Sequence, residues 1–264
     1  RGLGDVYKRQ RIFPWNHANC GDLNLSGERR PQSYLRETLW SDAPVSHIVV
    51  TPPVPSFPLN PDKADWSVWD FPDVVDHWNF PGYEGKKMTV SVYSNCEQVE
   101  LFLNGESLGK QENTADKKNT LVWEVPYAHG ILKAVSYNKG GEVGTATLES
   151  AGKVEKIRLS ADRTEIVADG NDLSYITLEL VDSKGIRNQL AEELVEFSIE
   201  GDATIEGVGN ANPMSIESFV ANSRKTWRGS NLLVVRSGKS SGRIIVTAKV
   251  KALPVASITI TQKK

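Results

Sequence analysis

Three carboxylates near the N-terminus are the first candidates for chemistry: Asp22, Glu28 and Glu37. A carboxyl group can serve as a general acid, a general base or a nucleophile, depending on its surroundings. Glu28 stands beside Arg29 and Arg30, and Glu37 lies within a stretch of helical spacing, so both are expected to be solvated surface charges. Asp22 lies in a polar loop and is the candidate of the three, although we favour the interpretation that it caps that loop.

Two further motifs suggest chemistry that their spacing does not support. His17 and Cys20 are separated by two residues, but two ligands fall short of the four expected at a structural zinc site. Residues 238–240 read Gly-Lys-Ser, the end of a phosphate-binding loop, yet Leu233 occupies the position of the first glycine in that motif. We therefore predict a hairpin turn at 238–240, and neither a metal nor a cofactor.

Length and charge narrow the class of protein. The chain has 264 residues, enough for two domains of ordinary size, and a net charge of −2. This charge predicts no partner among nucleic acids or anionic membranes. No apolar run approaches the roughly 20 residues that span a bilayer. Cys20 and Cys96 cannot form a disulfide framework, and we expect two small buried side chains.

Alternating apolar and polar residues predict β-strands through most of the chain. Residues 88–92 and 99–103 alternate clearly, and Asn104-Gly105 then supplies the two residues of a type I′ hairpin turn. Short strands with regular turns favour a β-sandwich. We predict strands near residues 88–94, 98–103, 106–109, 121–125, 131–138 and 143–149.

A second set of strands follows a boundary predicted at Ala151-Gly152. The alternation recurs to the C-terminus and predicts a second sandwich, with inward positions at Ile157, Leu159, Ile176, Leu178, Leu180, Phe197, Ile199, Leu233, Val235, Ile244, Val246 and Ala248. Before the first sandwich, residues 31–40 have helical spacing, and we expect Tyr34, Leu35 and Leu39 on one apolar face. Residues 44–76 are rich in proline, tryptophan and aspartate, and the string TPPVPSFP within them (51–58) predicts an extended connector.

The segment 66–83 is the densest aromatic region of the chain. Its rings could form a platform that stacks on sugars, or they could pack inside the protein. We favour packing, because aromatic side chains bury large areas and the prolines and glycine around them fix the backbone. The rings are Trp66, Trp69, Phe71, Trp78, Phe80 and Tyr83.

Three stretches, in order along the chain, resemble the C-terminal region of family 2 glycoside hydrolases. The string NCGDLNLSGERRPQSYLRETLW resembles the last loop and helix of the family's catalytic barrel, with Leu35 where a second tyrosine is common and Asn24 where aspartate is common. Residues 78–110, with LFLNG, resemble the accessory sandwich. Residues 207–213 (GVGNANP), followed by ESF and LLVVRS, resemble the C-terminal immunoglobulin-like domain.

The resemblance implies a mainly β fold of two immunoglobulin-like β-sandwich domains, preceded by the last strand and helix of a (β/α)₈ barrel. The implied boundaries are 11–45 for the barrel remnant, 46–150 for the accessory sandwich and 151–264 for the C-terminal sandwich. Residues 1–10 are assigned differently, because RGLGDVYKRQ is encoded by DNA that resembles a transposase adapter used for sequencing libraries. We expect them to be foreign to the protein.

The resemblance also implies a function. The parent would be a retaining β-glycosidase, β-galactosidase-like, exported to the periplasm or secreted, and acting on carbohydrate through a barrel that this chain lacks; the parent could also be an oligomer. Both catalytic glutamates of the family lie on earlier strands, so no catalytic residue is assigned and the fragment is expected to be inactive. Trp15, Asn16 and Asp22 fall at the functional rim of the barrel and are the candidate substrate-binding residues. The alternative is a non-catalytic carbohydrate-binding or adhesion module.

Overall fold

A computed structural model describes residues 13–14, 21–56 and 72–264 of the chain. The expected features at 1–10, Trp15, Asn16, His17, Cys20, Trp66, Trp69 and Phe71 lie outside these residues. The chain divides into two compact units, one comprising Arg1–Asn24 and Glu28–Ser150, the other Leu25–Gly27 and Ala151–Lys264. Both are built mainly from β-strands, as the sequence predicts. Within the described residues, no helix is long and apolar enough to cross a membrane.

Helix α1 (Ser33–Trp40) confirms the predicted helix, although it begins two residues later than expected. Its predicted apolar face is confirmed in part: Tyr34 and Leu35 pack against the cluster of Val49, Val74 and Tyr93, but the prediction is wrong for Leu39, which is 64% exposed. The reason is the helical period, because Thr38 falls between Tyr34 and Leu35 around the helix and Leu39 falls beyond them. Thr38 is buried, and its hydroxyl donates to the carbonyl oxygen of Leu35 at 2.7 Å.

The first unit is a β-sandwich of two antiparallel sheets. One sheet has the order β1-β2-β5 and the other β4-β3-β6-β7. Its core contains the inward residues of both sheets, Val90 and Leu121 from the first and Leu101 and Leu132 from the second. The strands are β1 (Ser46–Val50), β2 (Lys87–Ser94), β3 (Gln98–Leu103), β4 (Glu106–Glu112), β5 (Thr120–Pro126), β6 (Ile131–Asn138) and β7 (Gly141–Glu149).

The hairpin between β3 and β4 confirms the local prediction. Asn104 has φ 52° and Gly105 φ 88°, the positive values that a two-residue type I′ turn needs at both central positions. Strand β1, in contrast, was not predicted. The run SHIVV lacks alternation because Ile48, Val49 and Val50 are all buried, and such a short run gives no periodic signal.

The aromatic residues of the described part of segment 66–83 are packed, as predicted. Trp78 is fully buried and Phe80 nearly so, while Tyr83 packs at the edge of the core. The indole N–H of Trp78 donates to the carbonyl oxygen of Ala128 at 2.8 Å. Trp78 and Phe80 meet Tyr127 edge to face at centroid distances of 4.9 and 5.8 Å. These three rings are therefore part of the core rather than an open platform for sugars.

The second unit is a larger β-sandwich. Its sheets have the orders β12-β14-β10-β8 and β13-β11-β15-β16-β9, with only β16 and β9 parallel among the strand pairs described. All twelve predicted inward positions lie in these strands. The strands are β8 (Lys156–Ala161), β9 (Glu165–Val167), β10 (Leu173–Val181), β11 (Leu194–Glu200), β12 (Ala203–Gly209), β13 (Ser223–Lys225), β14 (Ser230–Ser237), β15 (Gly242–Val250) and β16 (Ala256–Lys263).

Residues 238–240 form a turn, but the predicted hairpin is wrong. The flanking strands β14 and β15 belong to different sheets, so the turn carries the chain from one layer to the other. Asp202 holds it, because its carboxylate accepts the backbone N–H groups of Lys239 at 3.0 Å and Ser240 at 2.8 Å. The residues of a turn determine that the chain changes direction. Which sheet the next strand joins depends on the packing of the core.

Candidate functional site

The loop that carries Asp22 is closed at its base by backbone pairing. Leu23 and Arg29 form an antiparallel bridge, and the Arg30 N–H donates to the carbonyl oxygen of Asp22 at 2.8 Å. Within the loop, the Asn24 side chain accepts the Glu28 N–H and donates to the Glu28 carboxylate, each at 3.0 Å. Asp22 is the candidate substrate residue that the structure describes. Its backbone carbonyl, rather than its carboxylate, closes the loop, so the predicted capping role of the side chain stays a prediction.

The three carboxylates singled out in the sequence, those of Asp22, Glu28 and Glu37, contact neighbouring cations or amides. Asp22 lies 2.6 Å from the Arg36 guanidinium, with both side chains about half exposed. Glu37 lies 2.6 Å from Arg29. Asp42, which the sequence analysis passed over, is exposed beyond the end of α1. Retaining hydrolysis needs two carboxyl groups about 5–5.5 Å apart around a sugar, with one of them protonated. Carboxylates held by arginines at the surface do not provide this arrangement.

Helix α1 is fastened to the first sandwich by two asparagine side chains. Asn95 donates to the carbonyl oxygens of Ser41 at 3.0 Å and Ala43 at 2.9 Å, and it accepts the Val45 N–H at 2.7 Å. Asn119 donates to the hydroxyl of Thr38 at 3.0 Å. The Asn95 bonds satisfy carbonyls at the C-cap and just beyond the helix, which lack intrahelical partners. The helix and the strand that follows it are therefore held as one piece with the sandwich.

Three side chains stack on one another where helix α1 meets strand β1 of the first sandwich. The Arg29 guanidinium lies 3.9 Å from the centroid of the Tyr34 ring, and Tyr34 stacks on His47 of β1 with centroids 3.5 Å apart. Arg29 is also fixed by Ser33, whose hydroxyl accepts the Nε–H at 2.8 Å. We call these residues the Arg29–Tyr34–His47 stack. The sequence does not predict this stack. A loop, a helix and a strand contribute one ring or cation each, and no local spacing relates the three residues.

His47 has an unusual environment within this stack. Its Nε2 atom is buried and has no hydrogen-bond partner in the part of the chain that the structure describes. Burial lowers the pKa of His47 from 6.5 to about 4; the Arg29 charge acts in the same direction, and the carboxylates of Asp76 and Glu37 oppose it. The imidazole is therefore neutral at pH 7. Because Tyr34 covers its face, we assign it a packing role rather than acid–base chemistry.

The second unit has an open groove of about 540 Å³, whose lining includes Ser160, Asp162, Tyr175, Thr177 and Leu232. Its one carboxylate is used by the backbone, since an Asp162 oxygen accepts the N–H groups of Arg163 at 2.7 Å and Tyr175 at 2.8 Å. A single carboxylate with this role cannot supply both steps of a double displacement. Across residues 13–14, 21–56 and 72–264, no three His, Cys, Asp or Glu side chains are grouped as a metal site requires.

We expect Asp22→Asn to change the free energy of unfolding by less than about 1 kcal/mol, because exposed ion pairs contribute little. Urea unfolding at pH 7 measures the change. Arg36→Gln and the double variant complete the cycle and isolate the energy of the pair. A loss above about 2 kcal/mol would contradict the assignment of a solvated surface pair and would indicate that the aspartate supports the loop in another way.

Comparison with known protein families gives two matches. Residues 157–259 match the glycoside hydrolase family 2 C-terminal domain 5. Residues 85–144 match a domain of unknown function, DUF4982. The first match runs from β8 to the middle of β16, and the second covers β2 to β6 with the beginning of β7, so each match falls within one of the two units.

Curated relatives align along most of this chain but extend well beyond it. The β-galactosidase BoGH2A of Bacteroides ovatus is 30% identical over 253 residues, which are 96% of this chain and 26% of that protein. A β-glucuronidase of Formosa agariphila is 30% identical over 205 residues, 75% of this chain and 20% of that protein. The chain thus spans about a quarter or less of the length of these relatives.

Solved structures agree with this alignment. A glycosyl hydrolase family 2 member from Bacteroides cellulosilyticus is 95% identical with a TM-score of 0.88, covering 93% of this chain and 32% of that chain. A β-glycosidase from Bacteroides vulgatus is 25% identical with a TM-score of 0.80, covering 94% of this chain and 29% of that chain. Sequence and fold therefore match the C-terminal part of much longer proteins.

Proposed function

We propose that this chain forms the accessory C-terminal region of a retaining β-glycosidase. The proposal starts from its family, because the chain belongs to the family 2 glycoside hydrolases. The proposed parent enzyme hydrolyses terminal β-linked sugars, with β-galactosides as the first substrate class. One observation carries the proposal: 96% of this chain aligns with a protein named as a β-galactosidase, while spanning 26% of that protein. The chemistry of the parent then belongs to residues outside this chain.

The domain assignment is part of the proposal. Residues 11–45 are taken as the end of the catalytic barrel, 46–150 as the accessory sandwich and 151–264 as the C-terminal sandwich, with 1–10 derived from an adapter. Helix α1 supports the barrel remnant, because a stand-alone binding or adhesion module has no use for such a helix. The division of the chain between Ser150 and Ala151 supports the boundary between the sandwiches.

The role of this chain in the proposed parent is to position the end of the barrel. The bonds from Asn95 and Asn119 and the Arg29–Tyr34–His47 stack fix α1 on the first sandwich. The two carboxylates of the reaction lie elsewhere in the parent: one protonates the leaving oxygen and then activates water, and the other forms the covalent glycosyl intermediate. The side chains of this chain take no part in either step.

We expect the purified 264-residue chain to leave a chromogenic β-galactoside uncleaved, because both carboxylates of the double displacement are missing. The chain is produced in a host without β-galactosidase and assayed beside BoGH2A as the active control. The gene extended upstream of codon 11 is expected to encode an active enzyme, and β-galactoside and β-glucuronide substrates compared on that enzyme identify the sugar. Turnover by the purified fragment alone would overturn the proposal.

The same preparation tests the alternative function. A carbohydrate-binding module should bind galactosides saturably, with a change in tryptophan fluorescence that is lost in Trp66→Ala or Trp69→Ala. The accessory-region proposal predicts no saturable change, because the described rings of this segment, Trp78 and Phe80, are buried. Saturable binding that depends on either tryptophan would favour the module instead.

Substrate contacts of Trp15, Asn16 and Asp22 in the parent are proposed from their place at the end of the last barrel strand. Of the three, Asp22 is described, and its half-exposed carboxylate leaves room for a further partner. In the active parent, Asp22→Asn should then raise KM more than it lowers kcat. An unchanged kcat/KM would limit Asp22 to closing its loop.

We also propose that the parent is exported to the periplasm or secreted. The basis of this proposal is the resemblance of the sequence to family 2 glycoside hydrolases. A leader sequence in the upstream gene, and fractionation of the producing bacterium with an antibody against this chain, test the location. Recovery of the parent in the cytoplasmic fraction alone would contradict it.

A further inference from the structure

The loop of residues 213–221, between β12 and β13 of the second unit, exposes three large apolar side chains. Ile216 is 76% exposed, Phe219 48% and Val220 83%. Single exposed apolar residues are common on protein surfaces and need no explanation. Three within five positions of one loop form a local patch, and such patches mark interaction surfaces when the loop is also held in a fixed shape.

This apolar loop is held from beneath by a buried arginine. The side chain of Arg224 is 1% exposed, and its terminal nitrogens donate to the carbonyl oxygens of Val208 at 3.1 Å and Glu217 at 3.2 Å, and to the hydroxyl of Ser215 at 3.0 Å. Its guanidinium carbon lies 4.3 Å from the centroid of the Phe219 ring. Burying a cation is unfavourable unless its donors are satisfied. Both terminal nitrogens of Arg224 are bonded, whereas its buried Nε has no hydrogen-bond partner among the described residues and lies 4.0 Å from the Glu217 carboxylate.

Two further bonds fix the backbone of the apolar loop. The Val208 N–H donates to the carbonyl oxygen of Phe219 at 2.8 Å, and the Lys225 N–H donates to the Glu217 carboxylate at 2.9 Å. The apolar side chains are consequently presented in one arrangement rather than collapsed into the core. Fixing a contact surface before association lowers the entropy lost on binding.

The chemistry of the patch selects the type of partner. Two of its polar groups are engaged within the loop and its support: the Ser215 hydroxyl accepts from Arg224 and donates to the Glu217 carboxylate, which also accepts the Lys225 N–H. A sugar would need free hydrogen-bonding groups beside a flat ring, and Ile216 and Val220 offer neither. A separate protein would need about 800 Å² on each side for a stable complex, far more than three side chains provide.

We propose that residues 213–221 dock on the upstream part of the same polypeptide, which the longer relatives possess and this chain lacks. A small apolar contact suffices within one chain, because covalent linkage gives the two surfaces an effective concentration on the order of millimolar. The inference rests on the proposed function only in taking this chain as part of a longer family 2 protein. It assigns the C-terminal sandwich a contact that restrains it against the upstream domains.

Cysteine labelling compares the patch in the short and the long protein. Val220→Cys is placed in the 264-residue chain and in a chimera, in which residues 11–264 replace the matching region of the Bacteroides cellulosilyticus protein. Cys20→Ser removes one native thiol from both, and the other, Cys96, is buried. The matched control is Val255→Cys, because Val255 is also exposed, at 57%, and lies on another loop of the same unit.

We expect the Val220→Cys thiol to react about tenfold or more slowly in the chimera than in the short chain, while the control changes by less than about twofold. Equal Val220→Cys rates in the two proteins, or equal slowing of both cysteines, would overturn the proposal. Protection that appears in the short chain alone as its concentration rises would assign the patch to a second copy and also overturn it. Labelling needs no activity, so an inactive parent leaves the readout intact.

Discussion

Replacing Trp78 with alanine is expected to lower the free energy of unfolding of the first unit by about 3–5 kcal/mol. The side chain is fully buried, and its removal leaves a cavity between the sheets that the edge-to-face contacts with Phe80 and Tyr127 cannot fill. The indole also satisfies the carbonyl oxygen of Ala128, which would lose a partner. In addition, the Trp78 carbonyl accepts the Ser150 hydroxyl at the end of the unit, so a shift of the backbone would disturb that bond.

Hydrogen exchange followed by mass spectrometry measures this effect, because peptides from β2 and β5 report on the first unit and peptides from β10 and β14 on the second. Trp40→Ala is the matched control: Trp40 is 84% exposed at the end of α1, and its removal should change the free energy by less than about 0.5 kcal/mol. Equal effects of the two substitutions would contradict the packing assignment of Trp78. A large effect confined to the first unit would support it.

The fold could be predicted wherever the signal was local. Asn104-Gly105 specified its hairpin by turn chemistry, and alternation located nearly every long strand because one face of each sheet is buried. Alternation gave no signal where a strand is buried on both faces, and local sequence could not predict features that depend on the packing of the whole unit. Strand β1 has no alternation, the turn at 238–240 does not determine which sheet the next strand joins, and β16 follows the last of the predicted inward positions, Ala248.

The candidate site was predicted less well, for a related reason. Asp22 could be found because a loop aspartate before a helix is a recognisable feature, but its ion pair with Arg36 was not predicted. Arg29, Tyr34 and His47 could not be grouped, because their contacts depend on how the helix sits against β1. Residues 213–221 matched a family pattern, but the exposure of Phe219 above a buried Arg224 is visible only in three dimensions.

The stability of the first unit is expected to fall at acidic pH because of His47. Burial lowers its pKa to about 4, whereas the unfolded imidazole takes up a proton near pH 6.5. Between these values the unfolded state binds a proton that the folded state does not, so the free energy of unfolding decreases as the pH decreases. The contribution is fully present above pH 6.5 and lost by pH 4, and the difference in pKa corresponds to at most about 3 kcal/mol.

Carboxylates titrate in the same range, and Asp76 and Glu37 face the imidazole, so the comparison must isolate His47. His47→Gln keeps a polar side chain of similar size and removes the titration. Between pH 7 and pH 4, we expect the unfolding free energy of the native chain to fall by about 2–3 kcal/mol more than that of this variant. Proton NMR of the His47 ring gives the midpoint directly. A midpoint near 6.5, or parallel pH profiles for the two proteins, would show that the imidazole reaches water. The Arg29–Tyr34–His47 stack would then not seal the junction between the helix and the sandwich.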